Sequence, residues 1–263
     1  MQSRLVTALN RLPVWKRQAS VEEYTIRVPT FDRWLYAKLH AFRLMGSEER
    51  NFLSRHVTAG MTVLDIGANI GLYSIFPAEL VGTEGKVFGF EPDPVLSEAA
   101  VVNGRQNGKD GIIKLHNLAL GSQAAEGTLY RTSFNSGDNR LKASPAHQDA
   151  VPVHIARLDD LLPGVEIDFI KMDVQGWEAE VFRGMNRILL ANPALTIYFE
   201  YWPEGLRRAG EQLSAPMDIL RQNGFQIFLP NQDEPLSDRQ IENLGQKYTG
   251  NRFVNLLARR IPI

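Results

Sequence analysis

Short apolar runs alternate with helix-like segments along most of this chain, from about residue 60 to its end. Runs rich in Val, Ile, Leu and Phe predict strands at 61–66, 86–90, 112–118, 167–173, 195–200, 225–229 and 253–257. Apolar residues at helical spacing predict helices at 72–80, 94–107, 176–185 and 216–222. This alternation is typical of an α/β fold with a mostly parallel sheet. No helix is predicted between the last two strands, so they are expected to pair antiparallel.

Two regions depart from this pattern. Residues 1 to about 50 are rich in aromatic side chains and are predicted to be helical and irregular, with a weak amphipathic helix over 5–15. We therefore divide the chain into an N-terminal helical extension or lid, 1–47, and a main domain, 48–263. Residues 121–157 predict two short, partly exposed strands around a polar loop at 133–149, which is expected to lie over the strand ends.

The composition narrows the possible functions. The 263 residues suffice for one large α/β domain, and the net charge of −1 gives no electrostatic footprint for nucleic acid. No apolar run reaches the roughly 18 residues of a membrane span, so integral membrane association is not expected. The absence of cysteine excludes thiol catalysis and disulfides, and it fits a reducing, cytoplasmic location. An oligomer is compatible with the sequence, which does not specify one.

The most informative segment is a buried strand that ends in a glycine-rich turn and opens a helix. Its sequence is Val63-Leu64-Asp65-Ile66-Gly67-Ala68-Asn69-Ile70-Gly71. Such a turn lets a ligand approach the backbone, and the new helix offers N–H groups to an anion. A second apolar run ends about twenty residues later in Glu91, the offset at which an acid binds ribose in nucleotide-binding folds. Together the two features indicate a cofactor with an anionic end and a ribose.

The turn favours S-adenosylmethionine over a dinucleotide. A dinucleotide fingerprint has the spacing Gly-x-Gly-x-x-Gly, which turns backbone amides toward a pyrophosphate. Here the spacing is Gly67-x-x-x-Gly71, and the side chain of Asn69 would crowd a pyrophosphate. A smaller carboxylate and amino group would fit, with Asp65 accepting from the ammonium directly or through water and Glu91 taking both ribose hydroxyls. An NAD-dependent oxidoreductase on a similar sheet is the alternative enzyme.

Three blocks of sequence resemble the FkbM family of S-adenosylmethionine-dependent methyltransferases. The first covers 64–74 and is similar to the family pattern D-[IV]-G-A-N-x-G-x-Y-[ST]. The second covers 87–94 and is similar to V-x-A-F-E-P. The third comprises 158–162 and 167–176, similar to L-D-x-[LF] followed by D-x-[LI]-K-[IL]-D-[VI]-E-G. The set is specific in this order, and the resemblance spans roughly residues 48 to 258.

The resemblance implies a class I methyltransferase fold, a Rossmann-like three-layer sandwich. Its seven-stranded, mostly parallel sheet has the strand order 3-2-1-4-5-7-6, with strand 7 antiparallel. The activity that it implies is O-methylation, mostly of hydroxyls on sugars or secondary metabolites. One departure matters, because Gln175 stands where the family usually has glutamate. This substitution keeps open a non-enzyme alternative, a cofactor-binding module without catalysis.

The expected cofactor site combines the individual residues with the family blocks. The methionine end is expected beside the glycine-rich turn, the ribose at Glu91, and adenine near Asn117 and Ala119. The complete set of expected cofactor-binding residues is Asp65, Gly67, Ala68, Asn69, Gly71, Tyr73, Ser74, Glu91, Pro92, Asn117, Ala119 and Asp173.

Methyl transfer to a hydroxyl is helped by a general base, and two acids are placed for that role. Asp173 ends the fourth core strand and Glu200 the fifth, and neighbouring strands lie about 4.8 Å apart. Two close carboxyl groups raise one pKa toward a useful value for a base. His154 is the third catalytic candidate, together with His147, because neutral imidazole accepts protons at about pH 7. Lys171 shares a face with Asp173 and is expected to pair with an acid structurally.

The acceptor is the least predictable partner. A small molecule or glycan is expected, with walls from the N-terminal segment and the 133–149 loop, and flat surface from Trp177 and Trp202. Acceptor pockets are built from variable loops, so the sequence does not identify the molecule. No metal site is predicted, because Asp173 and Glu200 lack a convincing third ligand.

Overall fold

A computed structural model describes residues 17–42, 47–132, 135–142 and 149–261 of the chain. The strands in chain order are β1 (Arg17–Val21), β2 (Tyr24–Val28), β3 (Thr62–Ile66), β4 (Lys86–Phe90), β5 (Ile113–His116), β6 (Ala119–Leu120), β7 (Ala125–Arg131), β8 (Asp149–Ala156), β9 (Phe169–Met172), β10 (Thr196–Tyr201), β11 (Gln226–Phe228) and β12 (Val254–Arg259). The helices are α1 (Arg33–Phe42), α2 (Ser47–His56), α3 (Leu72–Val81), α4 (Pro94–Gln106), α5 (Leu158–Leu161), α6 (Glu178–Arg183), α7 (Asn186–Ala191), α8 (Pro203–Ala209), α9 (Ala215–Gln222) and α10 (Asp238–Lys247).

The central sheet has seven strands in the order β5-β4-β3-β9-β10-β12-β11. The pairs among β5, β4, β3, β9 and β10 are parallel, whereas β12 runs antiparallel to both β10 and β11. Counted along the chain, this is the order 3-2-1-4-5-7-6 with an antiparallel strand 7. The class I methyltransferase fold implied by the sequence is therefore confirmed.

The two faces of the sheet bury separate hydrophobic clusters, because alternate residues of a strand point to opposite sides. On β3, Leu64 and Ile66 belong to one cluster and Val63 to the other. On β9, Ile170 belongs to the first cluster and Phe169 to the second. The face with Val63 and Phe169 is covered by α2, α3 and the first two strands. On this face β3 also carries the buried Asp65, and β9 carries the buried Lys171.

The N-terminal region contains a β-hairpin where the sequence predicted helix. β1 and β2 pair antiparallel from Arg17 opposite Val28 to Val21 opposite Tyr24. The reason is a period-two pattern within 17–28, in which Ala19, Val21, Tyr24, Ile26 and Val28 are all buried. These side chains join the second hydrophobic cluster, so the hairpin packs on the main sheet. The amphipathic helix expected at 5–15 lies outside the described residues.

A second correction concerns the link between the last two strands. It contains α10, although no helix was predicted there. The helix begins with a capping box: the Ser237 side chain accepts the Gln240 backbone N–H, and the Gln240 side chain accepts the Ser237 backbone N–H. Ile241 and Leu244 are buried one turn apart. The expected antiparallel pairing of β11 and β12 is nevertheless correct.

Residues 119–156 form a small second sheet beside the main one. β7 pairs antiparallel with β8, and β6 pairs parallel with β8. Many of the outward-facing residues of β7 and β8 are exposed, as the sequence predicted for this region. The described part of the loop between them is 135–142. None of the helices that the structure describes has the length and apolar character needed to cross a bilayer.

Asn103, on α4, ties three segments together near the glycine-rich turn. Its Oδ1 accepts the Arg27 backbone N–H at 2.8 Å, and its Nδ2 donates to the Arg27 carbonyl at 3.0 Å and to the Ile70 carbonyl at 2.9 Å. The side chain is fully buried. The hairpin, α4 and the turn before α3 are therefore linked by one amide.

We predict that Asn103→Ala lowers the free energy of unfolding by about 2–4 kcal/mol, because buried backbone groups of two segments lose their partner. Urea denaturation followed by circular dichroism measures this loss. Val101→Ala on the same helix is the control, since Val101 is 41% exposed, and it is expected to change stability by at most about 0.5 kcal/mol. Equal losses for the two variants would contradict the linking role of Asn103.

Candidate functional site

The register of the central strands brings four positions to one edge of the sheet. Ile66 pairs with both Phe90 and Met172, and Met172 pairs with Phe199. The residues that follow these positions therefore lie side by side where the parallel strands end. They are Gly67, Glu91, Asp173 and Glu200. The carboxyl ends of parallel strands are where ligands bind in open α/β sheets.

A cavity of about 450 Å³ opens at this edge. Its volume falls within the range of about 300–1,000 Å³ that is common for small-molecule sites. Of the residues expected from the sequence, it is lined by Gly67, Ala68, Asn69, Tyr73, Glu91, Pro92, Ala119, Asp173 and Glu200. Most of the expected site residues therefore line the same cavity.

Gly67 lies where the turn after β3 touches the end of β9. Its φ is 85°, and a Cβ added there would lie 1.9 Å from the Asp173 carbonyl oxygen. No other residue fits this contact, because a side chain would collide with backbone rather than with a movable group. Gly71 is similarly close to α4, with an added Cβ 2.9 Å from the Ala100 Cβ. The two glycines permit the close packing of the turn.

Most backbone N–H groups of the turn donate hydrogen bonds to other parts of the protein. Gly67 and Ala68 donate to the Phe90 carbonyl, and Asn69 donates to the Glu91 carboxylate. The N–H groups expected to face an anion are those at the start of the helix that follows the turn. Among the residues that the structure describes, the Leu72 and Tyr73 N–H groups at the start of α3 have no such partner. Both residues line the cavity, so these N–H groups at the helix start are available to an anion.

The carboxyl group of Glu91 is held in place in the cavity wall. One of its oxygens accepts the Asn69 N–H at 2.8 Å, and the other accepts the Asp93 N–H at 2.9 Å. Burial, assisted by the charges of Asp93 and Asp65, raises the pKa of Glu91 to about 8, against the effect of these two hydrogen bonds. Each carboxylate oxygen keeps a further lone-pair site, so the group can bind two neighbouring hydroxyls.

Four expected residues lie behind the wall rather than on it. Asp65 is fully buried and accepts the Ser74 hydroxyl at 2.6 Å. Gly71 packs on α4, as described above. Asn117 donates from its Nδ2 to the carbonyls of Glu91 and Pro92, at 2.9 and 3.0 Å. Asp65, Gly71, Ser74 and Asn117 are absent from the cavity lining, so in this structure they support the wall and do not face the ligand space.

Lys171 is the buried cation at the centre of the acidic edge. It pairs with Asp65, opposite it on β3, at 3.7 Å. Its ammonium also lies 4.9 Å from the centre of the Tyr73 ring. Burial raises the pKa of Asp65, and the Lys171 charge opposes that rise. The expected pairing of Lys171 with an acid is confirmed.

Asp173 and Glu200 share a neutral donor. The Gln175 Nε2 lies 2.6 Å from the Asp173 Oδ1 and 3.1 Å from the Glu200 Oε1. Burial and the charges of Asp173 and Glu178 raise the pKa of Glu200 well above its usual range, and Lys171 opposes this rise. The three residues line the cavity together. The sequence marks Gln175 only as a departure from the family pattern and does not predict this bridge.

His154 does not contribute to the cavity. His154 lies on β8 with 76% of its side chain exposed, and it pairs with Glu126 at 2.7 Å. His154 is absent from the cavity lining, so this structure does not place it within reach of a hydroxyl bound there. The strand alternation of β8, which places His154 between Val153 and Ile155, already indicated its solvent side. His147 lies outside the described residues.

The loop at 135–142 closes one side of the cavity over the turn. Asn69 donates from its Nδ2 to the Ser136 hydroxyl at 3.1 Å, and the Ser136 N–H donates to Asp32 at 2.9 Å. Asp93, which caps α4, forms two hydrogen bonds of 2.6 Å with Arg131 at the base of the loop. The loop is thus tied to the turn, to the N-terminal segment and to α4.

One end of the cavity is aromatic and basic. The Arg140 guanidinium stacks 4.3 Å from the Trp202 ring centre and pairs with Asp138. Trp202 is held by a hydrogen bond of 2.7 Å from its Nε1 to the Gly250 carbonyl. Four further residues that the sequence does not single out also line the cavity, namely Leu35, Lys38, Asn251 and Phe253. They lie in loops and in α1, where no sequence pattern marks them.

The cavity residues fit S-adenosylmethionine. The Glu91 carboxylate suits a ribose diol, and the free N–H groups at the start of α3 suit an amino acid carboxylate. Leu118, Leu120 and Leu129 provide an apolar surface next to Ala119, suitable for a flat base. Acidic groups at Asp173 and Glu200 suit the positive charge of a sulfonium and its ammonium.

Comparisons with known proteins agree with this fit. Residues 65–227 match the family model described as the methyltransferase FkbM domain. The chain is 29% identical over 203 residues to the methyltransferase sdnD of Sordaria araneosa, covering 63% of this chain and 73% of that protein. It is 26% identical over 141 residues to the hexuronic acid methyltransferase AglP of Haloferax volcanii, covering 48% of this chain and 50% of that protein.

A solved structure shares the fold. It is named as an rRNA methylase from Clostridium thermocellum and superposes with a TM-score of 0.50 at 11% identity. The match covers 82% of this chain and 94% of that chain. At this identity the similarity concerns the arrangement of helices and strands alone.

We predict that Glu91→Gln flattens the pH dependence of stability. Because folding raises the pKa of Glu91 to about 8, the folded state binds more protons than the unfolded chain, and stability is lost as the pH rises from about 5 through about 8. Removing the titration should make the slope of unfolding free energy against pH less negative, by up to about 1.4 kcal/mol per pH unit. Chemical denaturation of the ligand-free protein at several pH values measures this.

The control for this prediction is Glu84→Gln, because Glu84 is an exposed glutamate after α3. It should leave the slope as in the wild type. An unchanged slope in Glu91→Gln would show that Glu91 titrates in the folded state as it does in the unfolded chain.

Proposed function

The chain belongs to the FkbM methyltransferase family, and from this premise we propose that it methylates a hydroxyl oxygen of a sugar or another small molecule. S-adenosylmethionine is the methyl donor of the enzyme. The family match makes methyl transfer the reaction, in place of the hydride transfer that an NAD-dependent enzyme would carry out. The observation that supports the hydroxyl assignment is the Asp173–Glu200 pair, two carboxyl groups that line the cavity and share the Gln175 amide.

The cofactor contacts that we propose follow from the cavity wall. Glu91 binds the ribose diol, and the N–H groups of Leu72 and Tyr73 bind the carboxylate of the methionine end. Gly67, Ala68 and Asn69 form the adjoining wall, with Pro92 and Ala119 on the nucleoside side. Asp173 lies beside Gly67 at the end of β9, so it is placed for the ammonium or for the reacting centre.

The acceptor is proposed to bind at the aromatic and basic end of the cavity. Trp177 and Trp202 both line it, and Arg140 covers the Trp202 ring with its guanidinium. An aromatic ring and a planar cation suit a sugar that carries an acidic group. The relative named as a hexuronic acid methyltransferase supports testing uronic acids first. We also propose that the segment before residue 48 and the 135–142 loop act as the wall over this end, since Leu35, Lys38 and Ser136 line it.

Bound S-adenosylmethionine supplies an electrophilic methyl group on a good leaving group. The protein then has to hold the acceptor oxygen in line with the methyl and the sulfur, at about 3 Å from the methyl. As the new C–O bond forms and the C–S bond breaks, the hydroxyl proton passes to the carboxylate pair. The raised pKa of Glu200, caused by burial and neighbouring acids, suits this residue to accepting a proton.

We predict that Glu200→Gln lowers kcat by about 10²-fold or more, because the amide cannot accept the hydroxyl proton. The affinity for S-adenosylhomocysteine should stay within about threefold, which corresponds to about 0.7 kcal/mol. Transfer of a labelled methyl group to a panel of uronic acids, neutral sugars and polyphenols gives the rate, and calorimetry gives the affinity.

His154→Ala is the matched control, because His154 is a titratable residue outside the cavity. Its kcat should remain within about twofold of wild type. Full activity of Glu200→Gln would reject Glu200 as the base. Binding of S-adenosylhomocysteine without transfer to any acceptor would favour the non-catalytic module that the sequence left open.

A further inference from the structure

Gln175 occupies an unusual position between two acids. Its backbone has a φ of 56°, in the left-handed region that long side chains rarely adopt. The following Gly176 also has a positive φ, of 95°, and packs against the backbone of Gly205. This sharp turn directs the Gln175 side chain back over the end of β9. A residue held in such a conformation in a cavity wall indicates a functional constraint.

The turn allows the Gln175 amide to form hydrogen bonds with two acids. An amide NH₂ group has two hydrogens, and here both are directed to carboxylates, at 2.6 Å to Asp173 and 3.1 Å to Glu200. The opposite orientation would direct the amide carbonyl at the same two acids. The neutral amide therefore bridges the pair without adding a charge of its own.

The charges around Glu200 show why a neutral bridge matters. The charged groups that act on it are Asp173, Glu178, Lys171 and Glu49, from β9 and its following turn, α6 and α2. Only Lys171 among these is a cation. A glutamate at 175 would place a third carboxylate against Asp173 and Glu200, with no donor between them.

We propose that Gln175 is a positioning residue that holds Asp173 and Glu200 together as one proton-accepting pair beside the acceptor, an inference that rests on the proposed methyl transfer. The amide donates to the ionised form of both acids and keeps the pair able to take up a single proton.

The test compares two substitutions in the full-length protein. Gln175→Met keeps the length of the side chain and removes the donor, and Gln175→Glu adds the third acid. Gln222→Glu is the control, because Gln222 is exposed at the end of α9. The first measurement is the pH profile of kcat with the best acceptor of the panel, together with the KM of that acceptor.

The acidic limb of the profile should move to higher pH by about one unit for Gln175→Met and further for Gln175→Glu, because each change disfavours the ionised pair. At high pH kcat should approach the wild-type value, and the acceptor KM should remain within about threefold. The control should keep the wild-type profile. A uniform loss of kcat with an unmoved limb would overturn the proposal, since a merely structural role predicts that result.

A second measurement does not depend on turnover. The melting temperature of Gln175→Glu should match wild type at about pH 5 and fall below it at about pH 8, because an acid added against Asp173 and Glu200 has a raised pKa and stability is lost as it ionises. If the wild type methylates nothing in the panel, the proposed function fails, while this melting comparison still decides whether Gln175 bridges the two acids. A melting difference that is constant across pH would overturn the bridge.

Discussion

The buried ammonium group of Lys171 is the interaction on which the acidic edge of the sheet depends. Burial alone would lower the pKa of Lys171, but the charges of the surrounding acids raise it, and those acids are Asp65, Asp173, Glu49 and Glu200. Without this cation, the low-dielectric edge would hold several carboxyl groups with no compensating charge. Lys171 is therefore a condition for placing acids beside a ligand, and it occupies the β9 position directly opposite Asp65.

The register of the strands brings the residues of the site to one edge of the sheet. Because Ile66, Phe90, Met172 and Phe199 end their strands at one level, the residues after them meet at the same edge. Gly67 allows the turn to approach the Asp173 backbone, and Asn117 holds the backbone after β4 in place. The loop at 135–142 and the N-terminal segment then meet over the turn through Ser136. Each contact brings segments that are distant in sequence to the same cavity.

The sequence predicted the parts of the molecule that local patterns encode. The strand order followed from the three family blocks, and the cofactor class from the spacing of the glycine-rich turn and Glu91. The adjacency of Asp173 and Glu200 followed from their places at neighbouring strand ends. The N-terminal hairpin and α10 were missed although 17–28 alternates with period two and Ser237 begins a capping box. The positions of Asp65 and of the turn amides could not be predicted, because their partners come from β4 and β9. The Gln175 bridge likewise depends on a backbone turn that no local pattern indicates.

A crystal structure of the protein with S-adenosylhomocysteine tests the central claim most directly. The arrangement of the cavity predicts the ribose diol on the Glu91 carboxylate, the amino acid end near Leu72 and Tyr73, and the sulfur directed toward the Asp173–Glu200 pair. A nucleoside bound away from Glu91, or a sulfur directed away from the two acids, would contradict it.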